Sequence, residues 1–496
     1  PLKRPHGPSA VLALVSRASN LHDLKERDVT SPLNRRRFME LSSAAAVGTA
    51  LAPLGLLNAR IASAQPNCSY ASMTVPGFGP LAFNQLPLNT SQLGTLAQVP
   101  LIALPPGFVY TAISLRGSLD SDGKTVPGGH DGMACFQGRS GTYVLVRNHE
   151  LNPTSSSPGC LTSNSKQYDP FVGDAAGLGG GGTMTVVVDR NGQVLQDYVS
   201  LGGTIRNCAG GPTPWSSWIS CEENTNVPTS ASSNQVVKKH GYNFEVPALL
   251  GQAVDPIPLV AMGRMNHEAV SADPNSGYIY QTEDRDDSVL YRFLPKVPGK
   301  LAEGGRLQAM VIDGLADTRN WEAAAMQVGQ PYRVSWIDLD DVEAPKDDLR
   351  QRAAAKGAAL VARGEGLHMG ENAVFACCTN GGAKKLGQIL KLTPGLAGAP
   401  DTVELFFESQ SEAQFNYGDN LTVAPNGHLI VCEDQYTDVV DNHIRGITPQ
   451  GAAYEFARLT AQTELAGGCF SPDGKWLFVN AYSPTMTLAI TGPWAA

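Results

Sequence analysis

The sequence predicts an all-β chain folded as a β-propeller with a few inserted helices. Three observations lead there. Strand-sized apolar runs alternate with Gly, Pro, Asn and Asp turn signals over most of the chain. Three segments echo one another: Asp273-Pro-Asn-Ser-Gly277 before Tyr278-Ile-Tyr280, Ala424-Pro-Asn-Gly427 before His428-Leu-Ile-Val431, and Ser471-Pro-Asp-Gly474 before Trp476-Leu-Phe-Val479. Each apolar run then ends on a polar tip (Thr282-Glu283-Asp284, Cys432-Glu433-Asp434, Asn480), which is the mark of repeated antiparallel hairpins.

Taken in order, residues 1–64 read as a twin-arginine signal peptide. Asn34-Arg35-Arg36-Arg37-Phe38-Met39 precedes a mildly apolar stretch from Leu41 to Leu57, and Ala62-Ser63-Ala64 offers a small-residue cleavage site. Pro53 and the many alanines leave that stretch too weak for a stable membrane span. Residues 65–496 then form one propeller domain, exported by the twin-arginine machinery to the periplasm or beyond. From Gln65 to about Val126 the chain is rich in Pro and Gly and reads as an N-terminal wrap or partial blade. Strand runs come after it at Tyr143–Val146, Met184–Val188, Tyr278–Tyr280, Ala373–Ala376, His428–Val431 and Trp476–Val479. The exception is Asp347–Ala362, which is rich in helix formers, carries acids in its first turn, and is expected to deliver Arg363 and Glu365 together.

Charge and cysteine content narrow the function. Residues 1–64 hold nine of the 37 Lys and Arg and four of the 46 Asp and Glu, so the remainder has a net charge of −14. That balance excludes a nucleic-acid footprint and fits a protein that binds cations. Nine cysteines without a Cys-x-x-Cys pair make neither a disulfide scaffold nor a zinc knuckle. Cys68, Cys135 and Cys160 are candidates for pairing in an oxidising compartment, Cys377-Cys378 reads as core, and one thiol of an odd number is left for chemistry.

Short acid-bearing motifs recur after apolar runs: Asn148-His149-Glu150, Cys221-Glu222-Glu223-Asn224, Asn266-His267-Glu268, Glu283-Asp284, Glu365 and Glu371, Asp419-Asn420, and Glu433-Asp434. Acids seldom sit against apolar strands unless paired or metal-bound, so this many suggests convergence on one site. Strand alternation puts Cys221 and Glu223 on one side and Glu222 on the other. A soft thiolate beside hard carboxylates suits a mixed site, with a transition metal on sulfur and calcium on oxygen. The alternative is a buried inert thiol followed by solvated acids. Gly177–Thr183 is a flexible loop, since no Gly-Lys-Ser/Thr follows it.

The run from Asn207-Cys208-Ala209-Gly210-Gly211 through Trp215 and Trp218 to Cys221-Glu222-Glu223-Asn224 resembles the PhoX-like alkaline phosphatase family. So do His240–Pro247, Gly263–Ala269, Gly418–Leu421, Leu429–Asp434, Phe470–Gly474 and Thr491–Trp494. The resemblance implies six blades, a di-iron centre held by Cys221, Glu268 and Glu365, and phosphate-ester hydrolysis. Arg363 has the fork that suits a phosphoryl group. Glu222, Glu223, Asp419, Asn420, Glu433 and Asp434 offer oxygens for Ca2+, beside Fe(III) on the thiolate. Cys221, Glu268, Glu365 and Arg363 are thus the expected catalytic set in a monomer acting on small phosphate esters. Arg363-Gly364-Glu365 departs from the family's Arg-Pro-Glu, and Leu367-His368-Met369 stands where a phosphate-gripping lysine is expected. Two other classes remain open: a non-catalytic calcium-binding propeller, and a calcium-dependent hydrolase of another ester.

Overall fold

In a computed structural model, the described residues are 75–494 apart from 89–92, 156–157, 164–165, 230–234, 397 and 436–439. The signal-peptide reading and Cys68 lie outside them. Among the described residues no helix is long and apolar enough to cross a membrane.

The fold is a β-propeller. Six strands form its inner ring: His130–Gln137, Asn207–Pro212, His267–Ala272, Gly364–Met369, Gly418–Val423 and Leu465–Phe470. Each packs beside the next, and the sixth beside the first, so the ring is closed. Outward from each, antiparallel strands add in sequence order. The first sheet continues with Tyr143–His149, Gly181–Val188 and Val194–Thr204, and the second with Ser217–Glu222 and Asn243–Pro247. The third and fourth sheets are joined by Pro331–Asp338, which pairs with Gly305–Ile312 on one side and Asp401–Glu408 on the other.

The three echoing turns are the hairpins between inner and second strands of the third, fifth and sixth sheets. A Pro-x-Gly turn permits the reversal, and Gly277, Gly427 and Gly474 sit at φ of +73°, +80° and +68°. The early partial blade supplies closure. Val109–Leu115 pairs with Met486–Thr491 as the outermost strand of the last sheet, and Ile102–Ala103 edges the fifth. Ring closure covers the apolar faces that the first and last sheets of an open row would expose, and leaves each sheet only short edges.

Between neighbouring sheets lies a continuous core. Val146, Leu201, Trp218 and Phe244 fill the gap between the first and second, and Leu145, Val186, Phe478 and Ala489 that between the last and first. Cys377 and Cys378 are core, as their apolar surroundings suggest, and Cys135 and Cys160 are unpaired. The helical stretch is shorter than predicted. It spans Leu349–Ala355 and stops before Gly357, whose φ of +101° breaks the helical path. Leu360–Val361 then pairs with Ser288–Val289, so a short strand and not the helix leads into Arg363.

Candidate metal centre

The inner strands share a defect that builds the site. Each takes one extra residue against its second strand: between His130 and Met133, Asn207 and Gly210, His267 and Val270, Gly364 and Leu367, Gly418 and Leu421, and Ala466 and Cys469. A β-bulge re-aims side chains without breaking the sheet. In the first five, the first residue of the bulge is Asp131, Cys208, Glu268, Glu365 and Asp419.

Backbone bonding repeats with the same register. The residue just past each second strand donates its N–H to the residue before the paired inner strand: Glu150 to Gly129, Glu223 to Arg206, Asp284 to Asn266, Thr379 to Arg363, Asp434 to Tyr417 and Tyr482 to Glu464, at 2.8–3.2 Å. Strand alternation then divides the paired acids. The last residue of the strand turns between the sheets, and the next one faces the channel mouth.

The inward acids are already satisfied. Glu222 accepts from the Ile205, Gly241 and Tyr242 N–H groups and lies 2.6 Å from His240 Nδ1. Glu433 accepts from the Asn416 and His443 N–H groups and from Arg445 Nε, at 2.8–3.0 Å. Glu283 accepts from Tyr291 Oη and Arg350. Glu222 and Glu433 therefore lie outside the carboxylate cluster, buttressing the sheets. His149 and His267 are buried as well, each with a ring nitrogen on a backbone carbonyl.

The bulge residues and mouth acids do meet. Cys208, Glu223 and Glu268 bring one ligand atom each within 4.8 Å of one another, and Glu268, Glu365 and Asp419 form a second such group. Glu268 belongs to both. The thiol in this arrangement is Cys208, not Cys221. Cys221 lies two residues back from Glu223 on the second strand, roughly 6.6–6.8 Å along it, and packs with Ile219 and Val270 in the core. Asp131, Glu150, Asp434 and Glu464 add to the field, since Asp131 feels Glu150, Asp419 and Glu268, and Glu464 feels Asp434 and Asp131. Asn420 accepts the Gly467 N–H at 2.5 Å and donates to Asp419 at 2.9 Å, so it links two inner strands and steadies the acid.

Side chains from neighbouring sheets hold the bulges in place. Asn148 donates to the carbonyls of Cys208 (3.0 Å) and Ala209 (2.6 Å), Thr282 to that of Glu365 (2.6 Å), and Asn480 to that of Asp131 (2.5 Å). Arg363 makes a two-pronged pair with Asp284 (2.8 and 2.9 Å) and reaches Glu365 at 3.2 Å. Its φ of +39° is uncommon for a residue with a side chain. Below the acids a channel of about 240 Å³ is lined by small residues such as Gly132, Ala209, Ala269 and Gly366.

Electrostatically the cluster is under-compensated. Burial and mutual repulsion push Asp131, Glu268, Glu365, Asp419 and Glu464 well above the ordinary carboxylate range. Burial raises Glu223 to about 7 despite Arg206 beside it, and raises the Cys208 thiol. So many carboxyls facing one another stay ionised only around cations. One group with a sulfur and one of oxygen alone fit a soft and a hard ion respectively.

The model of the alkaline phosphatase PhoX family matches residues 89–485. The chain belongs to that family. Membership places it among the phosphatases. Pseudomonas fluorescens PhoX, solved with vanadate as a transition-state analogue, is 19% identical, with a TM-score of 0.62 over 83% of this chain and 98% of that one. This likeness carries the propeller fold. Two others are remote: a gluconolactonase from Xanthomonas campestris (13% identity, TM-score 0.33, 77% and 90% covered) and a Dyadobacter fermentans protein of unknown function (9%, 0.40, 78% and 100%). Neither bears on what this chain does. No curated protein matches the sequence.

Of the expected residues, Glu223, Glu268, Glu365 and Asp419 come together, with Arg363, Asn420 and Asp434 beside them. Cys208, a member of one ligand group, and Asp131 and Glu464, which add to the field around it, were not foreseen at the site. Only Asp131 left a trace in the sequence, where His130-Asp131-Gly132 parallels His267-Glu268-Ala269 as histidine, acid and small residue; Arg206-Asn207-Cys208-Ala209 shares just its alanine with Asn266-His267-Glu268-Ala269.

Proposed function

We propose that the chain is an exported, metal-dependent phosphatase that hydrolyses phosphate monoesters at the channel mouth. Fe(III) would sit on the group containing Cys208, and Ca2+ on the carboxylates around Glu365 and Asp419. The observation that carries this reading is the pair of ligand groups sharing Glu268, one with a thiol and one without. When bound, the cations supply Lewis-acid polarisation of the phosphoryl oxygens.

The chain's own residues do the remaining work. Arg363 has Nη1 to offer a phosphoryl oxygen, and Asp284, holding Nε and Nη2, fixes the plane of the guanidinium before substrate arrives. Asn148, Thr282 and Asn480 hold the bulges, so the carboxylates do not have to reorganise as charge develops. Export to the periplasm or beyond belongs to the same proposal and rests on the twin-arginine pattern at residues 34–39.

The test is elemental analysis of protein made in its native export host, run beside a phosphate-monoester assay at alkaline pH. Cys208→Ala is expected to lose iron and to lower kcat/KM by roughly two orders of magnitude or more, about 2.7 kcal/mol. Cys221→Ala keeps both. Full metal content and normal turnover in Cys208→Ala would sink the assignment, and calcium without iron or turnover would leave a binding module.

A further inference from the structure

Arg206 and Arg363 occupy the same place in two different sheets. Each immediately precedes an inner strand, and each has a left-handed backbone, at φ of +48° and +39°. The carbonyl of each accepts the N–H of the residue past its own second strand, Glu223 for one and Thr379 for the other. Their own N–H groups bond to Leu151 and Arg285, each one residue beyond the mouth acid of the preceding sheet. Each guanidinium then pairs with that acid, Arg206 with Glu150 at 2.5 Å and Arg363 with Asp284.

Each arginine also grips one member of a ligand group, Arg206 through Glu223 and Arg363 through Glu365. The two groups meet at Glu268, on the inner strand between them. Arg206 keeps donor capacity in reserve, because both of its ion pairs run through Nη2 while the side chain as a whole is 38% exposed. The stretch after Glu365 supplies no cation: Leu367 is core, and burial lowers His368 to about 4.

We propose that Arg206 is a second phosphate-binding residue, working opposite Arg363 across Glu268. The assignment rests on the phosphatase reading above. Two guanidinium groups flanking one shared carboxylate grip an anion with three or more terminal oxygens better than one does, which favours phosphate monoesters over diesters.

The experiment compares wild type, Arg206→Gln, Arg206→Lys and Arg363→Gln as metal-loaded proteins. It measures KM and kcat on an aryl phosphate monoester, inhibition by inorganic phosphate, and metal content. Arg206→Gln is expected to raise KM and weaken phosphate inhibition roughly tenfold or more, with metal retained and the smaller part of the loss in kcat. Arg206→Lys, which keeps the charge but not the fork, is expected to fall between; it decides on the same readouts if Arg206→Gln does not fold. Wild-type KM and phosphate inhibition in a metal-replete variant would overturn the proposal. So would losses that track metal loss alone, since Arg206 would then only prop Glu223. If wild type with its full metal complement neither turns over monoester nor is bound by phosphate, the phosphatase reading falls first and this one with it.

Discussion

At the scale of single residues, the chain separates acids that hold the fold from acids that face the mouth. His240 shows what the first kind does. Its ring lies between Glu222 (2.6 Å) and Asp169 (3.3 Å), all three side chains fully buried. Burial alone would discharge the imidazole, but the two carboxylates outweigh it and raise its pKa to about 9. The folded value is above the unfolded value of about 6.5. Stability from the protonated ring is therefore complete below about pH 6.5 and is lost as pH rises through about 9. His240→Gln should flatten that decline in urea or thermal melts across pH 6–10. It should also lower stability at pH 6 by about 3–5 kcal/mol, since two buried acids lose their cation. An unchanged pH profile in the variant would show that the ring is neutral.

The structural elements explain how much of this was legible beforehand. Hairpins are local, so the Pro-x-Gly turns at 273–277, 424–427 and 471–474 marked their sheets in the sequence. The acids at the strand ends were visible for the same reason. The bulge was hidden. One extra residue in each inner strand shifts the parity of every residue beyond it, so alternation counted along Ser217–Glu222 says nothing of the neighbouring strand that carries Cys208. Cys221 looked like the ligand because it sits beside acids in sequence. Cys208 is the one beside them in space.

The bulges also demand small residues where inner strands nearly touch. A Cβ on Gly366 would come within 2.7 Å of the Asp419 carbonyl oxygen and 2.8 Å of the Asn420 Cα, both backbone atoms with no rotamer to yield. Gly366→Ala is therefore expected to cost about 1–3 kcal/mol and to cut activity out of proportion to stability, because the strain falls between Glu365 and Asp419. Activity lost only in step with unfolding would place the strain elsewhere.

On the scale of the whole molecule, the ring is closed by Val109–Leu115 on Met486–Thr491 while its inner end concentrates acids from separate sheets. These facts oppose each other. Closure forces Glu268, Glu365 and Asp419 within 4.8 Å, and without cations their repulsion pushes the inner strands apart. Bound ions turn the same contacts into a clamp that only the native ring can offer, so binding free energy becomes folding free energy. One substitution should then act with opposite signs. In chelated protein at neutral to alkaline pH, Glu365→Gln removes an acid that the fold must either protonate or hold ionised against its neighbours, and is expected to raise stability by on the order of 1 kcal/mol. In metal-loaded protein it removes a ligand and is expected to lower both Tm and calcium content. Melts of wild type and variant, each with and without chelator, give the four values needed. Should the variant be less stable in both states by the same amount, Glu365 would be an ordinary structural acid and the cluster would not be held together by cations.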